Sequence, residues 1–177
     1  SLAILKNLVT AMDGKVEVII RGKPALDQFD DFYADTSHIQ GLTYLGPYKN
    51  PDDLEKIYTD VHFTWAIDMF EEGLNSSWLL PNRIYEGGRY GSIPIAQSHV
   101  ETGQTLARIG TGVRLDNPLC PSLLEFFRTL TPEAYTHLKT MADSIPISTW
   151  VMTRDDSTAL VHHLSTIAKG QDICQTS

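Results

Sequence analysis

Cysteine is almost missing: Cys120 and Cys174 are the two in 177 residues. That excludes a disulfide framework and fits a reducing cytoplasm. Positive charge is also short, with 14 Lys and Arg against 22 Asp and Glu and a formal net charge of -8. A chain so acidic has no broad basic face with which to displace counterions, so DNA or RNA binding is not expected. No apolar run approaches the roughly 20 residues that a membrane helix needs. Residues 1–11 mix Lys6, Asn7 and Thr10 into a helical pattern, unlike a secretory leader. The familiar short motifs are missing too. There is no Gly-x-Gly-x-x-Gly fingerprint, no phosphate-binding Gly-x-x-x-x-Gly-Lys-Ser/Thr and no Gly-x-Ser-x-Gly elbow, which weakens the dehydrogenase, NTPase and hydrolase readings. His162 and His163 are adjacent, not four apart, so on a helix they diverge and do not make a metal pair.

What remains is the composition of an ordinary globular domain, 42% hydrophobic and 20% charged, long enough to bury about 70% of its unfolded surface. Short β-rich runs alternate with helical periods. Val16 to Ile20, Ile39 to Leu45, Val61 to Ile67, Ile93 to Gln97 and Gly112 to Leu115 read as strands. Helices are expected over Leu2–Met12, from near Pro24 through Tyr33, from Asn50-Pro51 through Tyr58, over Asn82–Tyr90 and over Glu101–Ile109. Asn50 is expected to cap the third of these, and Asp27, Asp30 and Asp31 to form the solvated face of the second. Beyond Pro118 the pattern is helical only, over Leu119–Leu130, Pro132–Asp143 and Ser157–Lys169. Strands joined by helices imply right-handed crossovers and one parallel sheet covered on both faces, a Rossmann-like α/β fold. Residues 1–145 would form that domain and 146–177 a helical tail packed on it. Ligands of such sheets bind beyond the carboxyl ends of the strands. This draws attention to Arg21-Gly22-Lys23, Gly46-Pro47-Tyr48, the irregular stretch from Asp68 to Asn82, and Gln97 to Thr102.

The richest segment runs from Leu80 to Ala96. Pro81-Asn82 can open a helix whose first amides suit a phosphate. Glu86 lies one turn further on, where an ionised carboxylate can accept both hydroxyls of a diol such as a ribose. Gly87 and Gly88 weaken that helix by about 1 kcal/mol each relative to alanine, which close approach of a backbone or ligand would explain, or which simply marks an untidy helix end. Arg83, in the first turn, and Arg89 offer guanidinium forks for phosphate oxygens, Arg83 the better placed and Arg89 more readily a surface residue. Arg21 and Lys23 flank a strand end as phosphate contacts or as a solvated turn. Tyr48, with Pro47, can bracket a base or simply line a turn. His99 and Glu101 follow a strand and can meet a sugar, although Glu101 equally suits the role of a first-turn acid stabilising its helix.

Asn82-Arg83-Ile84-Tyr85-Glu86 followed by Gly91-Ser92-Ile93-Pro94-Ile95-Ala96 resembles the nucleotide-sugar-binding signature of GT-B glycosyltransferases of the retaining "group 1" type. Softer landmarks fall in order: a strand ending at Gly22, the aromatic-glycine segment Leu42 to Tyr48, the Leu54 to Asp60 helix, and Glu101 through Val113. The likeness spans roughly residues 15–140. It implies the C-terminal, donor-binding half of a two-domain enzyme, a hexosyltransferase-like protein of bacterial polysaccharide or glycolipid synthesis. An N-terminal acceptor domain is the implied partner. The isolated half would be inactive, because half of the cleft is missing. The family's C-terminal half begins with a strand and a basic loop, and this chain opens on the helix that follows them.

The resemblance assigns Glu86 to the ribose, and Asn82, Arg83, Arg21 and Lys23 to the diphosphate. Tyr48 falls to the base, and His99 and Glu101 to the donor sugar. UDP- or GDP-sugar is the expected ligand, with no metal or other cofactor. The site would be cytoplasmic, with peripheral attachment to the inner membrane face through the whole enzyme allowed. Relatives often carry a second glutamate eight positions before the ribose carboxylate. Trp78 stands there, so Glu71 or Glu72, or Asp68, takes the part of the sugar-facing acid. Three competing readings stay open: a non-catalytic nucleotide-sugar-binding module, half of a GT-B-fold epimerase, and a purely structural α/β domain.

Overall fold

The computed structural model describes residues 1–69 and 77–171, the last four by backbone alone. Glu71 and Glu72 therefore lie outside the described residues. Helix α1 (Leu2–Met12) leads into β1 (Val18–Ile20), α2 (Phe32–Ser37), β2 (Leu42–Tyr44), α3 (Leu54–Thr59) and β3 (Phe63–Trp65). Then follow α4 (Asn82–Arg89), β4 (Ile93–Gln97), α5 (Glu101–Ile109), β5 (Val113–Leu115), α6 (Leu119–Thr129), α7 (Pro132–Asp143) and α8 (Arg154–Gln171). Every pairing is parallel, so the α/β class read from the sequence holds. The strands fall into two sheets, however: β1 pairs with β2, and β4 lies between β3 and β5. The expected single sheet is interrupted between β1 and β3.

β4 is the centre. All five of its residues are buried, as both-face coverage of a parallel strand requires. Ile93 and Ile95 face a core shared with Leu8 and Met12 of α1, Leu119 and Leu123 of α6, and Ala142 of α7. Each such side chain, fully withdrawn from water, contributes about 1.5–3 kcal/mol. The alternate residues turn to the opposite face, which α4 and α5 cover with Ile84 and Leu106, both 0% exposed. Pro94 is tolerated in this central strand for a reason of register. Ile93 and Ile95 bond toward β3, so the nitrogen of Pro94 points toward β5, whose pairing begins only at Ile95.

Two helix starts depart from expectation. The segment after Pro24 makes a single 3-10 turn at Leu26–Gln28, and α2 begins only at Phe32. Asp31, taken for part of a solvated face, is the N-cap: its Oδ1 accepts from the amide of Ala34 at 2.9 Å. Helix α3 begins at Leu54 rather than Pro51, and Asn50 does not cap it. Further along the chain, Trp150 is buried while the side chains of 154–167 are exposed.

Close approach explains the glycines of α4. A Cβ on Gly87 would stand 2.5 Å from Oγ1 of Thr64 in β3, and one on Gly88 2.5 Å from the Trp150 indole. The pair lets α4 settle on the sheet and under Trp150, so a packing requirement, not a ligand, accounts for the weakened helix. Gly103 is tighter still, since its Cβ would meet the Gln97 carbonyl oxygen at 2.0 Å. We expect Gly88→Ala to cost about 1–3 kcal/mol by urea denaturation, the usual range for overpacking. Shortening the obstructing ring should relieve it, so a Gly88→Ala, Trp150→Ala cycle should be strongly non-additive. Gly103→Ala should destabilise more, because a backbone carbonyl cannot swing aside as a side chain does.

Candidate functional site

Parallel pairing places the carboxyl ends of each sheet's strands on one side, and the loops beyond β1 and β2 are tied to one another. Beyond β1, the amide of Gly22 donates to the Gly46 carbonyl at 3.0 Å. Arg21 Nη1 donates to the Leu45 carbonyl at 2.9 Å, and the Tyr44 hydroxyl to the Gly22 carbonyl at 2.9 Å. The loops after β1 and β2 thus move as one unit. Tyr48 follows on that unit, its ring edge facing Gly22 across the space a Cβ would partly fill.

Helix α4 supplies the second wall. Ile84 and Gly87 face the sheet and Gly88 the Trp150 indole, which turns Arg83 and Glu86, three residues apart, together toward α3 and the Tyr48 loop. Glu86 is held at both oxygens: Oε2 accepts from the Tyr58 hydroxyl at 2.8 Å and Oε1 from Asn50 Nδ2 at 3.2 Å. A carboxylate offers about four lone-pair sites, so two acceptor positions are left over. Burial, the hydrogen bond to Glu86 and the charge of that carboxylate push the Tyr58 phenol well above the ordinary tyrosine range. Tyr48 is raised as well, by burial first and then by Glu86, with Arg83 acting in the opposite sense. Both tyrosines therefore stay neutral donors at physiological pH, and both sense the same Arg83–Glu86 pair.

The expected site residues divide accordingly. Arg21, Tyr48 and Arg83 line one large cavity together with Tyr58, and Tyr58 links Glu86 to them. Asn82, Lys23 and His99 are exposed and do not line it. Asn82 is the first residue of α4, whose N-cap position is held by Pro81 without a side-chain cap. Glu101 is engaged on its own helix: Arg108 Nη2 donates to its Oε1, and Thr105 Oγ1 does so at 3.2 Å. That pairing favours the helix-stabilising reading of Glu101 over contact with a sugar. Trp78, where the family pattern has an acid, is 61% exposed.

Two residues of the cluster were not singled out from sequence. Tyr58 looked like an inward-facing core residue and Asn50 like a cap. A tyrosine on the buried stripe of a helix does carry a signal, because its hydroxyl needs a partner wherever the ring is buried. What the sequence cannot supply is the identity of that partner, 28 residues away.

Over 167 residues, 94% of its length, the chain is 43% identical to the succinoglycan biosynthesis protein ExoL of Rhizobium meliloti (strain 1021). The match covers 41% of that relative, so the chain spans about two-fifths of the length of the curated protein it resembles. No family model and no solved structure matches the chain.

Proposed function

We propose that this chain is the donor-binding domain of a glycosyltransferase acting in bacterial polysaccharide biosynthesis. The observation that carries the reading is the Glu86 carboxylate, fixed by Tyr58 and Asn50 beside Tyr48 and Arg83. A fixed carboxylate with acceptor capacity left over suits a vicinal diol. A neighbouring half-buried tyrosine suits a base, and a guanidinium three residues before the carboxylate suits a phosphate. The name of the Rhizobium relative, a succinoglycan biosynthesis protein, agrees with a sugar-nucleotide ligand. UDP- or GDP-sugar is the proposed donor, and a GT-B enzyme of the retaining type the proposed parent.

In this reading Glu86 accepts the ribose hydroxyls while Tyr58 and Asn50 hold it in one rotamer. Arg83 and Arg21 offset the charge that gathers on the departing nucleoside diphosphate, an interaction worth most where charge develops. Arg21 spends one donor on the Leu45 carbonyl and keeps the rest of its five N–H groups for a ligand. The sugar-facing acid of this reading is Glu71, Glu72 or Asp68, among which no spacing selects. The exposed Trp78 supports a second reading, a binding module without catalysis. Sugar transfer by the whole enzyme, abolished in Glu71→Gln or Glu72→Gln, would decide against that second reading.

Calorimetric titration with UDP, GDP and UDP-glucose tests the donor reading. One base should bind saturably, and Glu86→Ala should weaken it about 10- to 100-fold, the equivalent of a charged hydrogen-bond pair. Unchanged affinity in a folded Glu86→Ala variant would sink the ribose assignment. Arg83→Ala should weaken UDP or GDP but leave the affinity for uridine or guanosine unaltered, because only the diphosphate is addressed. Tyr58→Phe should lower affinity less than Glu86→Ala, since it frees the carboxylate without removing it.

A further inference from the structure

Helix α4 ends at the start of β4, where the amide of Ser92 donates to the Gly87 carbonyl at 3.0 Å. Its first residue, Asn82, therefore lies at the carboxyl end of the three-stranded sheet. Helix α5 begins at that same end, with Gly103 of its first turn seated against the Gln97 carbonyl. The segment 77–81 bridges the two helix starts. The hydroxyl of Thr102, a buried residue of α5, donates to the Leu79 carbonyl at 3.4 Å. The backbone beside Trp78 is thereby held, while its side chain is not. The indole is 61% exposed and Leu79 is 48% exposed. Among the described residues, no hydrogen bond and no aromatic ring engages that indole.

An indole left in water forgoes most of the roughly 150–250 Å² of burial that makes an aromatic side chain worth having. With Leu79 the patch is two residues wide, far short of the roughly 20–30 residues a side of a stable protein interface. A flat apolar face on a tethered backbone suits a small ligand instead. It also stands at the carboxyl end of the strands, where open α/β sheets bind theirs. The neighbouring groups say which part of a ligand would reach it. Arg83 and Glu86 look toward α3 and Tyr48, whereas Trp78 is tied to α5, on the far side of the first residue of α4. From Glu86 back to Asn82 is about 6 Å of helix, a span that one diphosphate covers. A ligand with its ribose on Glu86 and its diphosphate at Arg83 would therefore emerge beside Trp78. Glu101, at the same place, is engaged by Arg108 and Thr105, and the indole is not engaged.

We propose that Trp78 is the stacking face for the sugar ring of the donor, its indole lying flat against the C–H side of the pyranose. The inference rests on the donor reading and adds to it the residue that meets the sugar. A pyranose gathers ring C–H bonds on one face, and the electron-rich face of an indole attracts their positive ends. The indole has one N–H donor and no acceptor, so it contributes contact area and orientation rather than hydroxyl recognition. Such a platform ranks sugars by the shape of their C–H face. The hydroxyls are then left to acceptors on the neighbouring loops.

Calorimetric titration of the full-length protein with UDP, GDP, UDP-glucose, UDP-galactose and GDP-mannose tests it, in the wild type, Trp78→Ala and Trp78→Phe. The ring is mostly in water, so both variants should keep the wild-type Tm. Trp78→Ala should leave the affinity for the bare nucleotide unaltered and weaken the matching nucleotide sugar about 5- to 50-fold, the order of a lost stacking platform. Trp78→Phe should recover most of that loss. Saturation transfer from the protein's aromatic protons should reach the sugar C–H protons in the wild type and vanish in Trp78→Ala. Equal weakening of nucleotide and nucleotide sugar, or weakening of neither, would overturn Trp78 as the sugar contact and leave the donor reading standing. Failure of every one of these ligands to bind the wild type would remove the donor reading, and this inference with it.

Discussion

The structure depends on β4 being paired at both edges and buried on both faces. A strand in that position has no access to water for its backbone, so its hydrogen bonds must come from β3 and β5 and its register cannot slip. The register in turn fixes where α4 and α5 can lie, because each connects a β4 end to a neighbour and must return across the same face. The tightest contacts of the molecule arise here. Gly103 brings α5 onto the Gln97 carbonyl, and Gly87 brings α4 onto Thr64, whose hydroxyl is bonded to Ser92 at 2.6 Å.

The candidate site is a by-product of that packing. Helix α4 cannot rotate once Ile84, Gly87 and Gly88 are seated, so Arg83 and Glu86 are held toward α3. Tyr58 then does two jobs. Its ring is buried on α3, and its hydroxyl turns the carboxylate of Glu86 into a fixed acceptor. The loops beyond β1 and β2 are bonded to each other by backbone carbonyls and amides, which carries Tyr48 and Arg21 to the same place. A site assembled in this way loses little entropy on binding, since its side chains are already ordered.

The two-sheet arrangement gives the molecule an asymmetry. On one side of the interruption β1 and β2 are short and partly exposed, with Ile19 at 43%. On the other, β3 to β5 sit in a continuous core with the aromatic group Phe63, Phe126, Phe127 and Tyr135 packed edge to face. The residues of the candidate site are drawn from both parts, Arg21 and Tyr48 from the first and Arg83 and Glu86 from the second. Any element that bridges the two would therefore set the geometry of the site as well as its stability.

Periodicity determined much of this from sequence. Asn82–Arg89, Ile93–Gln97, Glu101–Ile109 and Pro132–Asp143 were legible almost to the residue, because caps, glycines and apolar spacing are local properties. Glu86 and Arg83 were legible as candidates because the resemblance is carried by a contiguous motif. The start of α2 was misread because Pro24 looked like a first helical residue, whereas the capping power of Asp31 decided the matter. Tertiary structure alone decided that Gly87 and Gly88 serve packing against Thr64 and Trp150, and that Tyr58 and Asn50 belong with Glu86. Each of those depends on a partner far along the chain or on the rotation of a helix against a sheet. A one-dimensional pattern specifies which face is apolar, but not which atom it meets.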